Sequence, residues 1–323
     1  MAVNGLVRRS ILKENKKKRA IKSVAKKVLT RFKPIVLTRH PSHDFFKDNI
    51  GLQPFRSIVR LGSTTSTQHV YHSRPNIIQS RVVECNTVQA IKNSANKHLM
   101  KNCFTRANVK TANWYTATRH DNFLRHSNNG EGQIISVSTA ISNLEYPIVA
   151  KHIYGSRGTG NYLLKTQEEL TSWFNNRGNL EDYIFEEFMN FTREYRLHVT
   201  KEGYFYSCRK MLKEETPKEN RWFRNDSNCT WYMEENPGFD KPSNWGVIEA
   251  DCVKALKALT LDIGCFDVKV QSEKDSKGRQ RKQVDYIILE SGSAPSFGSV
   301  TQEKYLLEVP KVLRAKYASM NIQ

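Results

Sequence analysis

Residues 150–164 read AKHIYGSRGTGNYLL. An apolar strand ends in Lys151, a loop holds Gly155, Ser156, Arg157, Gly158 and Gly160, and a second apolar strand leads away. Glycines two or three residues apart let a backbone approach an anion closely and aim N–H groups at it, and Lys151 and Arg157 bring positive charge to the same place. The same composition also makes an ordinary hairpin tip. No Gly-Lys-Ser/Thr opens a helix here, and the spacing does not follow the dinucleotide fingerprint, so neither of those phosphate motifs applies. The neighbours of the loop have to decide between cradle and hairpin.

Downstream, Thr166 is a fitting N-cap for a helix running to Phe174, with Glu168 and Glu169 in its acid-favoured first turn. The order strand, loop, strand, helix predicts a small α+β lobe with the glycine loop at its open tip. From Tyr183 the chain reads YIFEEFMNFTREYRLHVT: a strand ending in Glu186 and Glu187, a polar break at Phe188 and beyond, then a strand bearing Glu194 and Arg196. Two acids at a strand end also describe a solvated turn. Tyr204 to Cys208 is expected to pair with the 194–200 strand, followed by Arg209, Lys210 and Lys213. Residues 214–244 are polar and read as a long loop, either a substrate-side lid or an insertion. An amphipathic helix is expected from Asp251 to Ile263, closed by Gly264. Strands at 265–270 and 284–289, joined by a charged hairpin, then place Asp267 and Glu290 on paired antiparallel strands. Such a pair of acids can be merely exposed, or can serve a divalent cation that bridges phosphates.

Upstream, Pro34–Leu37 and Ser57–Leu61 read as short strands, the second running into the hydroxyl-rich turn Gly62–Ser66. Thr87 to Phe104 is expected to form one helix with Val88, Ile91, Ala95, Leu99, Met100 and Phe104 on its apolar face and Lys97 beside it. The polar run 127–132 breaks the chain before a helical piece starting at Ser138.

Taken in order, Lys97, Lys151 with its glycine loop, Glu186 and Glu187, Glu194-x-Arg196, Cys265-Phe266-Asp267-Val268, and Leu289-Glu290 ahead of Ala294-Pro295 resemble the ATP-grasp superfamily over residues 97–297, with phage-type members also similar from Arg60 (RLGST). The resemblance implies an α+β fold in which two lobes clamp a nucleotide, preceded by a small α/β domain and a basic helical tail. It divides the chain into a tail (1–40), a preceding domain (41–110), a small lobe with the glycine loop (111–185) and a large lobe with the metal acids (186–323). It further implies that Lys97 and Lys151 contact the ATP phosphates, that the 155–160 loop closes over them, and that Glu186 or Glu187 with the backbone at Phe188 meets adenine. Glu194 would take the ribose hydroxyls, Arg196 and Lys210 the transferring phosphoryl group, and Asp267 with Glu290 a magnesium ion. The family's usual chemistry is a carboxylate–amine ligation through an acyl phosphate. One departure stands out: where the pattern has a metal-reaching Asn two residues after the last Glu, this chain has Gly292. The alternative implied is a catalytically degenerate nucleotide-binding component of a virion or nucleoprotein.

Composition sets outer limits. At 323 residues the chain can bury a core without staples, and its six cysteines are scattered without a Cys-x-x-Cys, which points to a reducing, intracellular setting and away from structural zinc. No apolar run is long enough for a membrane span. Of the +19 formal charge, +12 sits in the first forty residues, which hold thirteen Lys/Arg and the single acid Glu14. Ile21, Val24, Ala25, Val28, Leu29 and Phe32 recur there at helical spacing with Lys22, Lys26, Lys27 and Lys33 on other faces, so this part of the tail is expected to form a basic amphipathic helix. It could dock on nucleic acid, an anionic membrane surface or an acidic protein, or pack on its own domain.

Overall fold

The computed structural model describes residues 31–72, 76, 82–117, 122–126, 133–136, 145–156, 158–176 and 180–321. The expected basic tail up to Thr30, the 127–132 run, Ser138 and Arg157 lie outside them. Phe32, placed at the end of the tail helix by its spacing, instead pairs its backbone with Gln53 in an antiparallel bridge.

Three sheets carry the fold. The first is parallel, in the order β1 (Ile35–Thr38), β2 (Ser57–Leu61), β3 (Val83–Cys85). Short helices α1 (Asp44–Asn49) and α2 (Thr67–Val70) follow its first two strands. The second is antiparallel with six strands, β4 (Trp114–Ala117), β5 (Asn122–His126), β6 (Gln133–Ser136), β7 (Ile148–His152), β8 (Asn161–Leu164) and β9 (Tyr183–Glu187), in the order β6-β5-β4-β9-β7-β8. The hairpin β7–β8 holds the glycine loop at its tip, as expected. The third has the order β12-β11-β10-β13-β14, from β10 (Arg193–Thr200), β11 (Gly203–Leu212), β12 (Cys229–Met233), β13 (Ile263–Val270) and β14 (Tyr286–Gly292).

Alternation along a strand decides which residues face the site. On β10, Tyr195, Leu197 and Val199 are fully buried in one core with Phe266, Val268 and Val270 of β13. Helices α3 (Val88–Ala95), α4 (Lys97–Arg106) and α6 (Trp245–Ala258) supply the other side of that core through Ile91, Met100, Phe104, Ile248 and Leu256. The intervening residues Glu194 and Arg196 therefore point to the opposite face. Also among the described residues are α5 (Gln167–Asn175), capped by Thr166, and α7 (Ser299–Asn321). α7 packs through Tyr305, Val309 and Leu313 against Phe46, Leu61 and Cys85 of the parallel-sheet unit.

Three expectations are corrected. The helix over 87–104 is two helices, because Asn96 is extended and its side chain caps the Leu99 N–H, so Lys97 opens a helix rather than sitting inside one and Leu99 is exposed. The helix expected over 251–263 starts at Trp245 and ends at Ala258, where Thr260 turns left-handed (φ 60°), and Gly264 lies inside β13. The 214–244 stretch contains β12, the edge of the third sheet.

Candidate functional site

The register of the third sheet assembles the site. Glu194 lies opposite Lys210 on one side and Lys269 on the other, Arg196 opposite Asp267, and Asp267 opposite Glu290. Directly opposed residues share a face, so these side chains all rise from the face turned away from the main core. The expected pairing of Asp267 with Glu290 is present, with an irregularity in β14 immediately after it.

Arg196 grips Asp267 with both ends of its fork, Nε to Oδ1 at 2.8 Å and Nη2 to Oδ2 at 3.0 Å. Lys210 Nζ reaches the same Oδ2 at 2.7 Å and Glu194 Oε1 at 2.8 Å. Burial alone would push the Asp267 carboxyl up, but Arg196 and Lys210 outweigh it and hold it well below the usual carboxylate range. Both cations also sit over the Trp231 ring, at 4.7 and 5.5 Å.

A second cluster forms where α4 meets the six-stranded sheet. Lys151 Nζ donates to Glu186 Oε2 at 2.9 Å and Lys101 Nζ lies 3.1 Å from Oε1. Burial raises the Glu186 carboxyl, yet the two lysines together bring it down to about 2. Burial likewise pulls Lys101 down, while for Lys151 it is overcome by Glu186 and Glu290, which hold its proton more firmly than usual. Lys97 ties three elements together: its N–H donates to the Ile153 carbonyl, its Nζ donates to the Gly155 carbonyl, and the same Nζ lies 3.7 Å from Glu290. Within the loop, Gly158 and Gly160 take the left-handed φ values of 83° and 75°, which only glycine adopts without strain.

One cavity of about 490 Å³ joins the two clusters. Lys97, Lys151, Gly155, Ser156, Gly158, Glu186, Glu187, Phe188, Glu194, Arg196, Lys210, Asp267 and Glu290 all line it, so of the expected site residues among those described only Gly160 is not among its walls. Glu187 is held by Asn113 Nδ2 at 2.9 Å, and the Phe188 N–H donates to the Pro147 carbonyl at 3.1 Å, leaving the Phe188 carbonyl rather than its N–H for a ligand.

Four wall or support residues were not anticipated. Lys101 follows Lys97 by four positions, a spacing that shares a helix face. Lys269 follows Asp267 by two, which shares a strand face. Both signals were available. Lys269 Nζ donates toward the carbonyls of Met189 and Trp222 at 3.4 and 3.3 Å and lies over Phe188, and burial brings it down to about 8 against the pull of Glu194. Arg224, 3.6 Å from Glu194, comes from the 213–228 loop, and Trp231 from β12, neither of which carried a readable signal.

Several solved structures resemble the chain, three of them as follows. A D-alanine–D-alanine ligase from Bacillus anthracis superposes with a TM-score of 0.55 at 10% identity, over 88% of this chain and 98% of that one. The same enzyme complexed with ATP gives 0.54 over the same shares. The D-alanine–D-alanine ligase from Coxiella burnetii gives 0.50 at 11% identity, over 82% of this chain and 71% of that one. The chain has the ATP-grasp fold. A scan against protein-family models matches none, and no curated protein matches the sequence. In this chain the β7–β8 loop and the acid-bearing face of the third sheet line one cavity.

For a metal, the donor set is narrow. No cluster of three or more His, Cys, Asp or Glu that could hold an ion occurs among the described residues. A Cβ at 292 would stand 2.7 Å from Cys265 Sγ, so a side chain there requires that sulfur to shift. Glu290, a third exposed and only loosely paired, together with Asp267 fits a magnesium ion that takes its other ligands from phosphates and water. No helix among the described residues is long and apolar enough to cross a membrane.

Proposed function

We propose that the protein is an ATP- and magnesium-dependent ligase that joins a carboxylate to an amine or another nucleophile through an acyl phosphate. The observation that carries this reading is that Lys97 and Lys151 beside the glycine loop and the interlocked Arg196, Lys210, Asp267 and Glu290 of the third sheet line one cavity. Lys97, Lys151 and the 155–160 loop bind the ATP phosphates. Glu187 and the Phe188 segment meet adenine, and Glu194 the ribose. A cation about 4 Å from a phosphate gains roughly 4 kcal/mol at an effective dielectric near 20, so positioning and charge balance supply most of what phosphoryl transfer needs. Glu290 and Asp267 would hold magnesium, which supplies further neutralisation of the phosphates.

The substrate carboxylate oxygen attacks the γ-phosphorus and the bond to the β-phosphate oxygen breaks, with ADP leaving on its electron pair. Arg196 and Lys210 steady the transferring group. The amine then attacks the acyl carbon, phosphate departs, and the nitrogen loses a proton to give the amide. The reading extends to an acidic peptide or protein as the carboxylate substrate, with residues 1–33 as a docking arm for an acidic protein or nucleic acid. It takes residues 41–110, 111–185 and 186–323 as the preceding domain, small lobe and large lobe.

Gly292, backed by Cys265, favours a second reading, a nucleotide-binding component that does not turn ATP over. ADP release measured with magnesium, a carboxylate pool and hydroxylamine as trapping nucleophile separates the two. Release that is lost in Asp267→Ala supports the ligase; tight ATP binding with no release for any carboxylate supports the second reading.

A further inference from the structure

Beyond the nucleotide clusters the cavity continues to a second end, lined by Arg39, His40, Ala294, Pro295 and Ser296. Arg39 directly follows β1, and its Nη2 donates to Thr64 Oγ1, at 3.3 Å, in the turn after β2. Both loops thus leave the carboxyl ends of parallel strands, where open α/β sheets place ligands. This end is firmly built. Buried His43 meets the Pro295 carbonyl through Nε2 at 2.8 Å, the Ser42 hydroxyl accepts the Phe297 N–H at 3.0 Å, and Gln302 donates to the Ser42 carbonyl at 3.1 Å. Burial pulls His43 below its ordinary value, partly offset by that carbonyl, which fits a neutral bolt rather than a second cation. Ala294 approaches so near Gly62 that a side chain there would collide with it.

The charges along the cavity are uneven. Lys97 lies near Glu290, Lys151 pairs with Glu186, Arg196 with Asp267, Lys210 with Glu194 and Asp267, and Arg224 with Glu194. Lys269 leans on two carbonyls. Arg39 has no acidic partner among the described residues and is exposed at the far end. A planar fork beside hydroxyl groups is suited to a carboxylate.

We propose that this end selects a substrate with two acidic groups: one carboxylate is presented to the phosphoryl donor between Arg196 and Glu290, and the second is anchored by Arg39. An acidic amino acid, free or at a peptide end, is the chemical class. The proposal rests on the ligase reading for its orientation but is tested by binding alone. The full chain, saturated with a non-hydrolysable ATP analogue and magnesium, is titrated calorimetrically with glutarate and with butyrate. Glutarate is expected to bind at least tenfold tighter, and Arg39→Gln to bring the two within about threefold while analogue affinity stays unchanged. Equal binding of the two acids, binding of neither, or a preference that survives Arg39→Gln overturns the proposal. A preference for glutarate without any ADP release from ATP would sink the ligase reading and leave the two-acid pocket standing.

Discussion

Arg196 holds both carboxylate oxygens of Asp267 from the neighbouring strand, at 2.8 and 3.0 Å, so the acid that the sequence pattern gives to metal is also the anchor that aims a guanidinium into the cavity. Replacing Arg196 by Lys keeps the charge and removes the fork. ADP release is expected to fall about 10²-fold, the scale for losing one aimed donor, while ATP affinity changes by less than about fivefold. Parallel turnover and nucleotide titrations check this; turnover within threefold of the native protein contradicts the assignment.

Glu186 carries two lysines in a buried site. Glu186→Gln leaves Lys101 and Lys151 facing a neutral amide, and a loss of about 3–5 kcal/mol is expected in denaturant unfolding. Because the folded carboxyl lies near 2 against an ordinary 4.5, its contribution is complete above pH 4.5 and disappears as pH falls through the window down to 2. The native protein should therefore lose stability more steeply between pH 5 and 3 than the variant does.

Lys269 has the opposite sense. Its folded value of about 8 lies below the ordinary 10.5, so the unfolded chain binds more protons between those two pH values and stability from this group rises across them. Its charge in the free protein is present below pH 8 and lost above it. ATP affinity is expected to weaken severalfold from pH 7 to 9, and Lys269→Met to flatten that dependence. A native affinity that does not vary over this range contradicts a nucleotide contact for Lys269.

The glycine loop and the 213–228 loop come close at Gly158: a side chain there would meet the Phe223 ring at 3.4 Å and Asn225 Nδ2 at 3.7 Å from a left-handed backbone. Gly158→Val is expected to cost about 1–2 kcal/mol through backbone strain and to raise the ATP Kd about tenfold by holding the two loops apart. Phe223→Ala, which leaves the backbone free, should raise Kd less and leave thermal stability nearly unchanged.

Legibility in the sequence followed the range of the interaction. The strand pair carrying Asp267 and Glu290 was readable from its two apolar runs, although residues 271–285 separate them, whereas the register shift after Asp267 that sets the exact opposition carried no local signal. The break at Asn96 was not readable either, since two helices and one share the same periodicity and only the capping geometry separates them. The 23-residue α7 went unread although Tyr305, Val309 and Leu313 recur at helical spacing; its partners lie more than 200 residues earlier, in Phe46, Leu61 and Cys85. In the site, the groups on regular strands were found, whereas Arg224 and Arg39 reach the cavity from loops whose course depends on tertiary contacts.

Positions 265 and 292 are coupled. An asparagine at 292 brings its Cβ to 2.7 Å from the Cys265 sulfur, so a third oxygen ligand beside Glu290 requires that sulfur to turn aside or a smaller residue at 265. Cys265→Gly removes the sulfur and so clears the contact that Gly292→Asn alone has to relieve. The cysteine, on the same strand face as Asp267 and lining the cavity, thus bears on which metal ligands this site can gain by substitution.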